Sequence, residues 1–124
     1  MVFVNDGIAE LNAVGIRNEV GETPSYLSFS GSNNTYIGSE SSLSNVFIRK
    51  AVSWSQTGIN SKFQVQLSSV EAVGSNIESL GLVGGSGIGS NTLFTINQSF
   101  IGEKTNTFNV QVEGEIFIRR PILK

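Results

Sequence analysis

The carboxy-terminal stretch "TFNVQVEGEIFIRR", residues 107–120, alternates almost without a break. Phe108, Val110, Val112, Ile116 and Ile118 fall on one side, with Gly114 keeping the register. Asn109, Gln111, Glu113, Glu115 and Arg119 fall on the other, and Phe117 is the apolar exception there. Successive side chains of an extended backbone point to opposite faces, so this period of two predicts a long half-buried strand, bent at Gly114 where no side chain packs. A chain that ends this way is committed to burying one face of a sheet against something else.

Three further segments repeat the pattern: "NVFIRKAVSW" with Val46, Ile48, Val52 and Trp54 in register, "KFQVQLSSV" with Phe63, Val65 and Leu67, and "NTLFTINQSFI" with Phe94, Ile96 and Phe100. "SQTGIN" and "GEKTNT" read as turns between them. Shorter extended pieces are expected at "SYLSFS" and around residues 77–83. "NDGIAELNAV" reads as a short helix of about two turns, capped by Asn5 or Asp6, carrying Ile8 and Leu11 on one face and limited by Gly15. "SFSGSNNTYIGSESSLSN" is too polar for a core and reads as a connection over the surface. The expected fold is therefore all-β, an antiparallel β-sandwich or partly closed barrel of about six to eight strands with a short N-terminal helix. With 124 residues there is room for one core. We expect a single domain spanning residues 1–124, with residues 1–22 as an N-terminal arm or docking segment.

Composition narrows function. Histidine and cysteine are both absent, which removes thiolate nucleophiles, disulfides, Cys/His zinc sites and the side chain that most often moves protons near neutral pH. The reading is of a non-enzyme without metal or cofactor. Eight Lys and Arg stand against ten Asp and Glu, a net charge of −2 with no run of either sign. That balance offers no basic stripe to a phosphate backbone, so no nucleic acid is expected as partner. No apolar stretch approaches the roughly 20 residues of a spanning helix. "MVFVNDGIAE" lacks the basic start and long apolar middle of a secretion signal. No membrane partner is expected, and synthesis in the cytoplasm is.

The stretch that most resembles a chemical motif is "GLVGGSGIGSNT", residues 81–92, with Gly84 and Gly89 at the spacing that opens a phosphate-cradling loop. The motif then requires Lys and Ser or Thr after the last glycine, to neutralise phosphate charge and hold magnesium. Ser90 and Asn91 stand there instead, and the following residues alternate like a strand. The loop is thus expected to connect strands, its glycines supplying left-handed backbone. Glu113 and Glu115 share a strand face, where neighbouring carboxylates are expected to be solvated; a glycosidase pair would sit across a cleft. No Asp-rich calcium loop is present. The pairs Arg49-Lys50 and Arg119-Arg120 fit either edge protection or an acidic partner surface. Tyr26, Tyr36 and Trp54 could stack on sugars, although Trp54 falls in register with core positions. The acceptor triplets at Asn33 and Asn97 carry little weight without a secretion signal.

Two blocks also resemble a known family. "YLSFSGS", a polar tract and "LSNVFIRKAV" are similar to a Y-I-x-x-G-x-G … L-x-N-E-x-x-R pattern. "NIESLGLVGG" with "NTLFTINQSFIGEKTNTFNVQVEGEIFI" is similar to I-x-E-x-G-L, a strand closing on K-T and a last strand of alternating aliphatics. Over residues 26–118 the chain resembles the tail-collar and tail-fibre attachment domains, and similar small head- or tail-associated proteins, of tailed bacteriophages. It departs from the pattern at Asn45-Val46, where Asn-Glu is usual, and after Glu78, where one extra residue stands before Gly-Leu. The resemblance implies a virion structural protein that decorates the head or attaches fibre or tail components, with copies of itself and other virion proteins as partners. Assembly contacts are expected at Arg49, Lys50, Gly84, Gly85, Gly87, Gly89, Arg119 and Arg120. The alternative is a carbohydrate-binding or adhesive sandwich with a glycan on its aromatic residues.

Overall fold

A computed structural model describes residues 2–32, 38–58, 60–86 and 91–117. Eight strands form two antiparallel sheets facing one another: β1 (Val2–Phe3), β2 (Tyr26–Ser30), β3 (Val46–Ala51), β4 (Ser53–Thr57), β5 (Asn60–Leu67), β6 (Asn76–Val83), β7 (Thr95–Glu103) and β8 (Val110–Phe117). The larger sheet runs β1-β7-β6-β2-β3 and the smaller β4-β5-β8. The architecture is a β-sandwich, since among the described residues no strand pair joins the two sheets into a closed barrel. Among the described residues no helix is long and apolar enough to cross a membrane.

The alternating segments build the small sheet as their pattern requires. On β5, Phe63, Val65 and Leu67 are buried while Lys62, Gln64 and Gln66 are exposed. β8 answers it in register, Val65 opposite Val112 and Leu67 opposite Val110. Gly114 lies opposite Phe63, and a Cβ there would stand within 2.5 Å of the ring's Cζ. The missing side chain is what lets the ring lie across β8. β8 begins only at Val110, so Phe108 is not on its core face as expected; it is 39% exposed in the preceding loop.

"NVFIRKAVSW" is two strands, not one. β3 ends at Ala51 and β4 starts at Ser53 in the other sheet, so the chain changes sheets at Val52, whose amide bonds the Ser25 carbonyl at 3.0 Å. The change of sheet explains why one alternation spanned both: each half keeps its own period. Trp54, expected in the core, therefore lies on the outermost strand of the small sheet and is 38% exposed.

The large sheet is buried on both faces along its middle. Leu27, Phe29, Leu80 and Leu82 face the small sheet and join Phe63, Val65, Leu67, Ile77 and Phe94 in the main core. Val83 and Ile96, with Val4 and Leu93, form a second cluster on the far face, flanked by Tyr26 and Leu43. Phe94 and Ile96 thus serve opposite faces, contrary to the single face their spacing suggested, because regular pairing of β7 starts only at Thr95. The polar tract is also deeper than expected. Ser28, Ser30, Ser32 and Ser79 are buried beneath residues 38–45: Ser30 Oγ donates to the Ser44 carbonyl, Ser79 Oγ to the Ser32 carbonyl, and Asn45 Nδ2 to Ser32 Oγ at 3.0 Å. Ser30, Ser32 and Ser79 offset their burial with these bonds, whereas the Ser28 hydroxyl is buried without a partner among the described residues.

The N-terminal segment wraps the β7 edge. Val4 sits in the far-face cluster, α1 (Asn5–Leu11) follows, and Leu11 packs on the main core. The residue preceding the helix is Val4, with no side-chain cap from Asn5 or Asp6, and a π-helical turn over Asn12–Ile16 carries the winding past Gly15. Gly7 rests directly on the backbone just before β7: a Cβ there would lie 2.5 Å from Phe94 Cα and 2.6 Å from its carbonyl oxygen. Backbone cannot yield as a side chain can. Gly7→Ala is therefore expected to lower stability by about 1–3 kcal/mol, read as a shift in the urea midpoint, while Gly15→Ala, which meets nothing within 4 Å, leaves it unchanged or raised.

Candidate functional site

Of the expected contact residues, Gly87, Gly89, Arg119 and Arg120 lie outside the described residues, as do Tyr36 and Asn33. Arg49 and Lys50 are adjacent on β3, an edge strand, and so point to opposite faces. Each is engaged within its own chain. Arg49 Nη1 donates to the Gly85 carbonyl at 3.1 Å; burial pushes the guanidinium below its usual value, and Glu22 nearby opposes that shift. Lys50 Nζ meets Glu71 Oε2 at 2.6 Å, and the hydrogen bond from Lys50, then that from the Ser68 amide, hold the Glu71 carboxyl below its ordinary 4.5.

A carboxyl with a depressed folded value stabilises the protein above its unfolded value and loses that contribution as pH falls through the folded one. Comparing the wild type with Glu71→Gln by urea unfolding, we expect the wild type to be the more stable at pH 7 and the difference to vanish at acid pH, below the ordinary carboxylate range.

The glycine loop is docked on the N-terminal segment. The Gly84 amide bonds the Thr92 carbonyl at 3.0 Å, and the Thr92 amide donates to Glu22 Oε2 at 2.7 Å. A Cβ on Gly84 would meet Glu22 Cβ at 2.7 Å, and one on Gly85 the Asn91 side chain at 2.9 Å. The loop amide that an anion could use is thus taken by the chain's own carboxylate. A shallow hollow of about 340 Å³ beside it is lined by Asp6, Ala9, Glu10, Ala13 and Thr92, with Thr92 Oγ1 on Glu10 Oε2 at 3.3 Å. The two carboxylates in that lining, Asp6 and Glu10, repel phosphate. No group of three or more metal-ligating side chains occurs among the described residues.

The outer face of the small sheet is polar throughout its middle: Ser53 and Ser55 on β4, Lys62, Gln64 and Gln66 on β5, Gln111, Glu113 and Glu115 on β8. Glu113 and Glu115 are exposed there, Glu113 3.7 Å from Lys62 Nζ and bonded by Gln111 Nε2 at 2.9 Å. A cleft of about 210 Å³ lies among Ser53, Trp54, Ser55, Lys62, Phe63 and Gln64. The indole itself points the other way. Trp54 is opposite Phe63 on the core side, ring centroids 5.4 Å apart and edge to face, with Nε1 donating to the Pro24 carbonyl at 2.8 Å. A sugar platform needs the ring and its hydrogen-bonding neighbours on one side; here alternation divides them between two faces, and Tyr26 is half-buried beside the far-face cluster.

Comparison with protein-family models, with curated proteins and with solved structures returned no match. The residues that sequence reading overlooked are those holding loops together. Lys104 is fully buried, its Nζ bonding the Ser69 carbonyl at 3.1 Å and the Thr105 carbonyl at 2.8 Å, 5.3 Å from the centroid of the Phe108 ring. Nothing in "GEKTNT" signals that its lysine is internal.

Proposed function

We propose that this chain is a non-enzymatic structural protein of a tailed-virus particle, decorating the head or attaching fibre or tail components through contacts between sandwich domains. The observation that carries the assembling role is the disposition of strand edges. In the large sheet one edge is the two-residue β1, wrapped by the N-terminal segment, and the other is β3, whose cations are engaged with Gly85 and Glu71. The small sheet ends on β4 and on the eight-residue β8, both flanked by polar, solvated residues. Open strand ends are templates for pairing with another chain. The charged side chains within the fold, Arg49, Lys50, Glu71, Lys104 and Glu22, support it by fastening the chain's own loops, a use that suits a rigid building block. Placement in a virion rests on the blocks at residues 26–52 and 76–118 that resemble the attachment-domain pattern.

Peptide mass spectrometry of purified particles from the virus encoding the chain tests the reading. Peptides of this protein are expected at stoichiometry with other minor structural proteins, and their absence from intact particles contradicts it.

A further inference from the structure

We propose that copies of this chain join head to tail, the edge of β8 that no described strand covers in one copy pairing with the corresponding edge of β4 in the next. The inference names the partner and the surface of the assembling role above and rests on that reading.

Three observations single out this pairing. First, the small sheet ends on these two strands, and β4 and β8 run in the same direction because each is antiparallel to β5. A rotation that carries one copy onto the next brings β8 beside β4 in parallel, and the sheet continues across the joint.

Second, charge discriminates among the ways of pairing. An isologous joint, β8 antiparallel to its own copy about Gly114, sets Glu113 opposite Glu115 on the exposed face. Like charges directly opposite are destabilising in a ladder. On the same face β4 presents Ser53 and Ser55, whose hydroxyls donate to carboxylates. The carboxylates that disfavour that β8–β8 register thus suit β4.

Third, the core-side faces also match. Trp54 is 38% exposed on β4, its orientation held by Pro24 and Phe63. On the core side of β8 stand the half-buried Val112 and Ile116, with Gly114 between them covered by the chain's own Phe63 ring. The indole of one copy laid against that row is covered by apolar neighbours, and buried tryptophans are the kind of residue on which interfaces concentrate their energy. The contact is heterologous, so repetition closes a ring when the rotation per step divides a full turn.

The chain contains no cysteine and a single tryptophan, which makes the test direct. Ser53 and Glu113 both pair with Gln64, so within one copy they are two strand spacings apart, about 9–10 Å, beyond the roughly 7 Å that a disulfide spans. Glu113→Cys is mixed with Ser53→Cys or Ser55→Cys under mild oxidation, one partner carrying a mass tag. The expected products are mixed disulfide dimers well in excess of either homodimer, a ladder of larger covalent oligomers from the variant with both substitutions, and a blue shift of Trp54 emission as unmodified protein is concentrated. A monomer at all concentrations overturns the proposal. So does an oligomer with neither mixed disulfide nor emission shift, or one in which Glu113→Cys pairs only with itself. Because the assay uses purified chain, absence from virus particles leaves these results standing, and a blank result with the chain present in particles removes the edge pairing alone.

Discussion

Phe63→Ala is expected to be the most damaging single substitution, lowering stability by about 3–5 kcal/mol, the range for deleting a buried phenylalanine. The ring is fully buried, lies over Gly114 on one neighbouring strand and meets Trp54 edge to face on the other. Its loss opens a cavity at the centre of the small sheet, whose three strands are too few to close over it. The same geometry predicts a coupling. Gly114→Ala in the wild type pushes a methyl into the ring, with a cost of about 1–3 kcal/mol for overpacking. In a Phe63→Ala background that obstacle is gone and the methyl fills part of the void. Urea unfolding of the four proteins in a double-mutant cycle should therefore show strong non-additivity, with Gly114→Ala harmful in the first background and neutral or helpful in the second. Additive effects would mean that the ring does not lie across β8.

The second large effect is expected at Lys104. Its amine is the fastening between the loops at residues 68–75 and 104–109, reinforced by backbone bonds from the Gly74 amide to the Lys104 carbonyl at 2.8 Å and from the Lys104 amide to the Ser75 carbonyl at 2.9 Å. Lys104→Ala removes a buried side chain and leaves the Ser69 and Thr105 carbonyls without that donor, for a loss on the order of 2–4 kcal/mol. Lys104→Met keeps the stem and relieves the cost of burying a cation, so it should fall between alanine and the wild type. Hydrogen exchange at the Gly74 amide should accelerate in both, because the two loops then open together. Equal stability in all three proteins would show the amine to be dispensable.

Legibility from sequence followed the faces that water touches. β5 and β8 could be read because one side of each is solvated: Gln64 and Gln66 alternate with Val65 and Leu67, and Glu113 with Val112. β6 gave a weaker signal, since Ile77, Leu80 and Leu82 serve one core, Val83 the other, and Ser79 and Gly81 are buried too. A strand covered on both faces loses the polar half of its period. Ser30, Ser32, Ser79 and Lys104 escaped notice for a related reason: composition marks them as surface residues, and only tertiary partners make their burial tolerable. The sheet change at Val52 was hidden because an extended chain keeps its alternation whichever sheet it joins. For the candidate surface, the carboxylate face of β8 was legible, whereas the exposure of Trp54 depended on that sheet change.

The central claim is that the sandwich is a repeated part of a tailed-virus particle, joined to its own copies at the edges of its small sheet. A reconstruction of the particle by electron cryo-microscopy tests it most directly. The account predicts density for this domain in several copies about a symmetry axis, with β8 of each beside β4 of the next. A particle complete without such density, or copies that touch only through other surfaces, would contradict it.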